Sequence, residues 1–187
     1  MTNYEIIAGL QKTLKNSRLG HSMGVACTAA NLAMCHDKDL IDKAFRAGLL
    51  HDCAKYMKDD ESIAFCSKHG IELSEFELAT PGLIHAKMGV YVAENDYDEH
   101  DEQILSAIRW HTTGRPGMNM LEKLIFVADY IEPLRKILPN LNEIRAMAYK
   151  DLDQCIIMIY ENTISYIKEK GDCFDPTTLE AYEYYKK

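Results

Sequence analysis

Two histidines and two aspartates occupy positions where helical periodicity calls for apolar side chains. His51 and Asp52 follow the apolar run 47–50, and His21 and Asp129 each lie on the apolar face of a predicted helix. Burying an unpaired carboxylate is costly, so these groups need a partner. One divalent cation would satisfy several of them together, because imidazole and carboxylate are ligands that borderline metals accept. The order His…His-Asp…Asp therefore predicts a shared metal site.

Two more histidines, His85 and His111, also share helical faces with apolar residues. Taken singly, a histidine on such a face is more often a hydrogen-bonded core residue than a ligand. Likewise, Asp129 alone could cap a neighbouring helix or pair with Arg135 or Lys123. The whole set, spread over several helices that would have to converge, favours the metal site over these separate explanations.

The elements that must position these residues are helices, since 3.6-residue periodicity dominates the chain and no alternating strand pattern occurs. We find no repeat, low-complexity tract or linker, so one compact all-α domain over 1–187 is predicted. The last predicted helix begins in the tail, where Thr177 and Glu180 have capping-box spacing. The other predicted helices span 3–15, 21–35, 40–54, 59–69, 85–94, 99–111, 119–132 and 141–169.

Composition narrows the function classes. The net charge of −8 argues against binding to nucleic-acid polymers, whose affinity comes largely from basic side chains. No apolar run approaches the roughly 20 residues of a membrane span, and the N-terminus lacks a signal-peptide pattern. The six cysteines form no CxxC pair and are interpreted as reduced thiols, which favours a cytoplasmic location.

At these residues the sequence resembles the HD-domain superfamily of metal-dependent phosphohydrolases, whose signature is H…HD…D. It is still more similar to the YqeK-like branch, bacterial symmetrical dinucleoside tetraphosphate hydrolases. The similar segments span residues 18–182, nearly the whole chain. They are RLGHSMGV, LLHDCAK, IHAKMGV, AIRWHTTGRPGM, LEKLIFVADYIEP and FDPTTLEAY.

The resemblance implies a helical HD fold that cleaves diadenosine tetraphosphate symmetrically into two ADP molecules. Its metal-binding core would cover about 18–135, and C-terminal helices within 141–187 would complete the nucleotide pocket. The implied cofactor is iron, as one or two ions, with other divalent metals as alternatives. By resemblance, the metal ligands are His21, His51, Asp52 and Asp129. The catalytic residues are Asp52, His85 and His111, where the two histidines hold a second ion or act on the substrate.

The same resemblance implies a nucleotide site on which local cations compensate for the acidic chain. The order Asp175-Pro176 departs from the Pro-Asp order expected in the family, which leaves the base contacts open. The implied nucleotide-binding residues are Arg18, Lys55, Tyr56, Met57, Lys58, His85, His111, Thr112, Asp129, Arg135, Asp172, Cys173, Phe174, Asp175, Pro176 and Thr177.

Other interpretations keep the fold but change the function. The same metal site could serve a nucleotidase or a phosphodiesterase acting on another nucleotide, and a non-catalytic nucleotide sensor is the alternative from a different class. Cys53 is rejected as a nucleophile, because no local base or helix N-terminus would activate it. The expected partners are a small dinucleoside polyphosphate and its ADP product, with no nucleic-acid polymer and no membrane. Formation of a homodimer is left as an open alternative.

Overall fold

The computed structural model describes all residues 1–187 and contains eleven α-helices and no β-strand, which confirms the all-α prediction. None of these helices combines the length with the hydropathy that a membrane crossing would require. Two short 3-10 turns, Lys38–Leu40 and Pro81–Leu83, precede α3 and α6. The helices are α1 (Asn3–Thr13), α2 (Asn16–His36), α3 (Ile41–Leu50), α4 (Asp59–Lys68), α5 (Glu75–Ala79), α6 (Ile84–Asp96), α7 (Glu102–Trp110), α8 (Met120–Ile131), α9 (Leu141–Ala148), α10 (Leu152–Lys170) and α11 (Pro176–Tyr185).

The core forms where α2 packs against α3 and α8, and α7 packs against α3, α6 and α8. The approach of α2 to α3 is unusually close at Gly48, because a Cβ atom there would lie 2.5 Å from the Cα atom of Ala26. Only a residue without a side chain allows this backbone contact. It brings the C-terminal end of α3 beside the first half of α2, where His21 lies.

Capping interactions fix the start of α8, the helix that carries Asp129. The Asn119 side chain accepts from the Glu122 amide at 3.0 Å, and the Glu122 carboxylate accepts from the Asn119 amide at 3.0 Å. This capping box matches an Asn-x-x-Glu sequence directly before an apolar run. Pro133 follows the helix and prevents its continuation. Both boundaries of α8 therefore follow from local sequence.

The predicted single helix over 141–169 is wrong, because the chain forms two helices there. Asp151 begins α10 by accepting a hydrogen bond from the Gln154 amide at 3.0 Å. The carbonyl at the end of α9, that of Ala148, accepts from His36 Nε2 on α2 at 2.7 Å. No glycine or proline marks this break, so a side-chain cap and a long-range contact decide it.

Other predicted boundaries also need correction. α2 begins at Asn16 rather than at residue 21. α3 ends at Leu50 instead of continuing to residue 54, so His51 and Asp52 lie in the turns that follow it. At the tail, Asp175 rather than Thr177 is the N-cap of α11, and its carboxylate accepts from the Thr177 amide at 2.8 Å. The next residue, Pro176, occupies the first helical position, where its missing N–H costs nothing.

Candidate metal and phosphate site

Four histidines and two aspartates converge at the centre of the fold. They come from five helices or the turns directly after them, and all but Asp129 are buried. The cluster consists of His21 on α2, His51 and Asp52 after α3, His85 on α6, His111 after α7, and Asp129 on α8.

Asp52 lies between two sets of histidines. Its Oδ2 atom is 3.5 Å from His51 Nε2 and 3.8 Å from His21 Nε2. Its Oδ1 atom is 3.2 Å from His85 Nε2 and 3.6 Å from His111 Nε2. The carboxylate thus divides the cluster into a first lobe (His21, His51 and Asp129) and a second lobe (His85 and His111).

Within each lobe the ligand atoms lie close enough to share an ion. His21 Nε2 is 2.9 Å from Asp129 Oδ1 and 3.3 Å from His51 Nε2. In the second lobe, His85 Nε2 is 3.0 Å from His111 Nε2. Three ligand atoms of the first lobe, those of His21, His51 and Asp129, lie within 4.8 Å of one another. A second group at the same spacing, His51 with Asp52 and His111, joins the two lobes. Asp129 therefore lies within reach of the residues with which the sequence grouped it.

Backbone carbonyls orient three of the four imidazole rings. A carbonyl oxygen only accepts, so each contacting Nδ1 atom carries the proton in the neutral ring, and Nε2 presents its lone pair to the cluster. The contacts are His51 Nδ1 to Gly48 O at 2.8 Å, His85 Nδ1 to Gly82 O at 2.7 Å, and His111 Nδ1 to Ile108 O at 2.8 Å. Metal-binding histidines commonly have this arrangement, with one nitrogen held by protein and the other facing the ion.

The donor set fits a divalent transition metal. The Nε2 lone pairs of His85 and His111 face one another at 3.0 Å and repel, and a cation between them turns that repulsion into coordination. Two carboxylates add negative charge to the same space, which further favours a cation. Ligand chemistry of this kind suits iron, zinc or manganese and does not choose among them.

Burial and charge keep His51, His85 and both aspartates in forms that bind metals. At His21 burial lowers the pKa, but hydrogen bonds with Asp129 and Glu132 and the charge of Asp129 outweigh it and raise the pKa of the ring. Burial lowers the pKa of His51 to about 4 and also lowers that of His85, so both rings are neutral near pH 7. Desolvation alone would raise the pKa of each aspartate, yet both lie below the usual range. The adjacent imidazoles of His51, His111 and His85 lower the pKa of Asp52, and the neighbouring His21 lowers that of Asp129.

Glu132 is a residue of this site that the sequence analysis did not single out. Its side chain is buried, and Oε1 accepts from His21 Nδ1 at 3.0 Å while Oε2 accepts from the Leu134 amide at 2.6 Å. It therefore fixes the fourth imidazole as the carbonyls fix the other three. A signal was present, because Glu132 lies three residues after Asp129 and precedes Pro133 directly.

Three predicted phosphate-binding cations lie at the cluster. Arg18 Nη1 is 2.6 Å from Asp52 Oδ2, and Arg135 Nη1 is 3.9 Å from Asp129 Oδ1. Lys55 Nζ lies 3.1 Å from His85 Nε2 at the second lobe, and burial lowers the pKa of Lys55. Arg18 and Arg135 therefore mark the first-lobe end of the cluster, and Lys55 marks the second-lobe end.

A cavity of about 150 Å³ brings the tail segment together with the residue that follows His111. Thr112, Asp175 and Thr177 line it, and so do Glu77 and Arg109, two further residues that the sequence analysis did not predict. Glu77 accepts from Lys87 at 2.6 Å and lies 3.7 Å from Arg109, so a charged network forms one wall. No short-range pattern signals that α5 and α7 meet here.

The remaining predicted nucleotide-binding residues form no hydrogen bond or ion pair with the cluster. Met57 packs against the hydrophobic core, and Lys58 precedes α4 as its N-cap residue. Phe174 is half-buried in the tail segment. The others, namely Tyr56, Asp172, Cys173 and Pro176, are exposed. Their contacts with a nucleotide stay predictions.

Cys53 is buried beside Asp52, and its environment disfavours a thiolate. Burial raises the pKa of its thiol, and Sγ contacts the Gly89 carbonyl oxygen at 3.4 Å. A thiol nucleophile needs a lowered pKa and access to substrate, and Cys53 has neither.

Comparison with known proteins identifies the class of fold and site. The chain belongs to the HD domain family, whose profile matches residues 18–134. This segment contains every residue of the cluster. The family relationship that the motifs predicted is therefore confirmed, and with it a fold whose members are metal-dependent hydrolases.

Individual relatives show which members of the HD family this chain is similar to. The chain is 36% identical over 184 residues to a Bacillus subtilis protein named bis(5'-nucleosyl)-tetraphosphatase, symmetrical, covering 98% of this chain and 97% of that one. A Staphylococcus aureus protein with the same name is 38% identical over 94% of this chain and 90% of its own length. A crystal structure from Clostridium acetobutylicum, titled a predicted HD superfamily hydrolase involved in NAD metabolism, superimposes with a TM-score of 0.94 at 38% identity. That alignment covers 100% of this chain and 97% of the other.

Proposed function

We propose that this protein is a metal-dependent phosphoanhydride hydrolase that cleaves diadenosine tetraphosphate symmetrically into two ADP molecules. The observation that carries the proposal is the position of Asp52, whose two oxygens face two separate sets of histidine Nε2 atoms. Near-full-length similarity to proteins named as symmetrical tetraphosphatases supports the choice of substrate.

The first lobe and Asp52 would hold one ion, through His21, His51, Asp52 and Asp129. We propose iron as this ion, since imidazole and carboxylate together suit it. A bound divalent ion supplies neutralisation of phosphate charge and lowers the pKa of a water molecule. Asp52 reaches both lobes, so its carboxylate would also orient the attacking water toward phosphorus.

The second lobe admits two roles. His85 and His111 would hold a second ion together with Asp52 Oδ1, or they would act on the substrate directly as acid–base groups. Burial keeps the pKa of His85 low, which suits a ligand or a proton acceptor better than a proton donor. A strong donor is not required, because the ADP leaving group is a stable anion.

Cations at both ends of the cluster would bind the tetraphosphate chain. Arg18 and Arg135 lie at the first lobe and Lys55 at the second, and arginine is well suited to bidentate phosphate contacts. Thr112 and the segment 172–177 would bind one nucleoside at the cavity beside His111. In this arrangement the chain is a single HD domain, and the helices within 141–187 complete its nucleotide pocket.

The test is to purify the protein anaerobically, determine its metals by elemental analysis, and identify the products from diadenosine tetraphosphate. We expect bound iron and ADP as the only nucleotide product. ATP with AMP would overturn the symmetrical cleavage. Inorganic phosphate, or preferred turnover of nucleoside monophosphates or cyclic dinucleotides, would indicate another HD-domain activity. Tight ADP binding without turnover under any divalent metal would identify a nucleotide sensor.

We also propose that the protein is located in the cytoplasm. Its six cysteines are all free thiols, which suits the reducing cytoplasm. Dimerisation stays a prediction, and light scattering at micromolar concentration would test it.

A further inference from the structure

Two aliphatic side chains in the segment that follows α8 are left largely in solvent. Leu134 is 68% exposed and Ile137 is 96% exposed, and both lie in the segment between α8 and α9. We refer to these two residues as the aliphatic rim. Isolated exposed aliphatic residues are common, so their exposure alone indicates nothing. The position of Leu134 beside the cluster gives this segment significance, and Ile137 lies three residues further along it.

The backbone of the rim is tied to the support of a first-lobe histidine. The Leu134 amide donates to Glu132 Oε2 at 2.6 Å, and the other oxygen of that carboxylate holds His21. The Leu134 side chain also lies over Gly20, where a Cβ atom would be 3.5 Å from Leu134 Cδ1. An exposed leucine is thus held in a defined place beside the residue that precedes His21.

Cations flank the rim on the side of the cluster. Arg135 follows Leu134 directly, and its Nη1 atom lies 3.9 Å from Asp129 Oδ1. Arg18 contacts Asp52 from the same end of the cluster. In a chain with a net charge of −8, apolar side chains next to two arginines have the chemistry of a nucleotide subsite. The arginines suit phosphate oxygens, and the aliphatic groups suit the face of a base.

Symmetrical cleavage requires such a subsite. A dinucleoside tetraphosphate that is cut at its central bridge carries one nucleoside on each side of the reacting phosphorus atoms. One nucleoside is accounted for by the cavity beside His111, which adjoins the second lobe. The other nucleoside needs a separate contact surface, and the first lobe is the part of the cluster that this cavity does not adjoin.

On this basis we infer that Leu134 and Ile137, flanked by Arg18 and Arg135, form the subsite for the second nucleoside of the substrate. This inference rests on the proposed function and adds the residues that contact the far half of the dinucleotide. Substrates with only one nucleoside do not need the rim, and this difference makes the inference testable.

The experiment compares the Leu134→Ala/Ile137→Ala variant with the wild type on two substrates, diadenosine tetraphosphate and adenosine 5'-tetraphosphate. We expect kcat/KM for the dinucleotide to fall about fivefold, since removal of aliphatic contacts weakens binding of one base. We expect the value for the mononucleotide to stay within about twofold of wild type, a change of less than half a log unit. Equal loss on both substrates, or on neither, would overturn the inference.

A matched control is Met34→Ala, which truncates an exposed apolar residue on α2 about 20 Å along the helix from His21. This variant should leave kcat/KM unchanged for both substrates. Tyr91→Ala tests the competing location, a groove of about 420 Å³ between α6 and α7 that Tyr91 and Trp110 line. Selective loss of dinucleotide turnover in Tyr91→Ala, with none in the rim variant, would place the second nucleoside in that groove and overturn the inference.

Binding provides a readout that does not depend on turnover. Calorimetry with diadenosine tetraphosphate methylene-bridged at its centre should show about fivefold weaker binding to the rim variant. If wild-type protein fails to hydrolyse diadenosine tetraphosphate, the proposed function is wrong, and the calorimetric comparison still decides whether the rim contacts the dinucleotide. Unchanged affinity in the variant would rule out the rim.

Discussion

The ligand cluster and the nucleotide-facing residues around it are built in different ways. The cluster residues lie on helices or in the turns directly after them, and His51 is completely buried. The residues expected to face the nucleotide lie mainly at helix ends and in the tail segment, and many of them are exposed. The packed core therefore fixes the geometry of the cluster, whereas we predict that shorter and more exposed segments contact the nucleotide. Mutations in the two regions should have separable effects.

The largest effect is expected from Asp52→Ala, because this carboxylate faces both lobes. We predict loss of bound metal and a fall in kcat of more than about a thousandfold, with the helical fold retained. Elemental analysis, steady-state kinetics and circular dichroism measure these three quantities. A variant that keeps its metal and its turnover would show that Asp52 is not central to the cluster.

A smaller effect should follow from Glu132→Gln. Glutamine replaces one of the two carboxylate oxygens with an NH2 donor, so either His21 Nδ1 or the Leu134 amide then faces a donor instead of its acceptor. We expect about 10- to 100-fold weaker metal affinity, measured by competition with a chelator.

The matched control for this change is Glu122→Gln, which alters another buried glutamate on α8. Glu122 bonds Arg115 and Asn119 and has no contact with the cluster. Glu122→Gln should lower thermal stability without weakening metal affinity. Equal loss of metal affinity in both variants would mean that Glu132 acts only through general stability.

At the nucleotide-facing cavity, Glu77→Gln should lower stability in a pH-dependent way. Burial alone would raise the pKa of this carboxyl, but hydrogen bonds from Lys87 and Ser74 hold it below its usual value. Because the folded pKa is lower than that of the unfolded chain, about 4.3, the carboxylate stabilises the fold above that pH. The stabilisation is lost as the pH falls through the folded pKa.

We therefore expect Glu77→Gln to lower the free energy of unfolding by about 1–3 kcal/mol at pH 7. The difference from wild type should shrink below about pH 4. Urea unfolding at several pH values measures this, and the exposed Glu75→Gln on the same helix is the control. Metal content should not change at pH 7. A pH-independent difference would show that the charge of Glu77 contributes nothing.

The smallest effect is expected from Cys53→Ala. Since the thiol is buried and its pKa is raised, turnover should stay within about twofold of wild type, apart from modest loss of stability. Kinetics of the metal-loaded variant test this. A loss of a hundredfold or more at full metal content would give Cys53 a role in the chemistry.

Local sequence predicted much of the fold. The stop at Pro133 and the end of α4 before Gly70 agree with local patterns, because breakers act within a few residues. The capping box predicted at Thr177 and Glu180 was wrong, since Asp175 is the N-cap. The division of 141–169 into two helices was missed, since His36 of a distant helix contributes to it. Helix ends that depend on tertiary contacts are not encoded in local periodicity.

The sequence by itself determined the types of donor atoms and the helices that carry them, since buried histidines and aspartates on apolar faces need a common partner. Only the tertiary structure decided that Asp52 divides these donors into two lobes, and that Glu132 holds His21 across 111 residues of chain. It likewise decided that Glu77 and Arg109 meet beside the tail. The physical reason is that periodicity specifies which face of a helix is buried, whereas the crossing of one helix over another specifies which buried atoms meet.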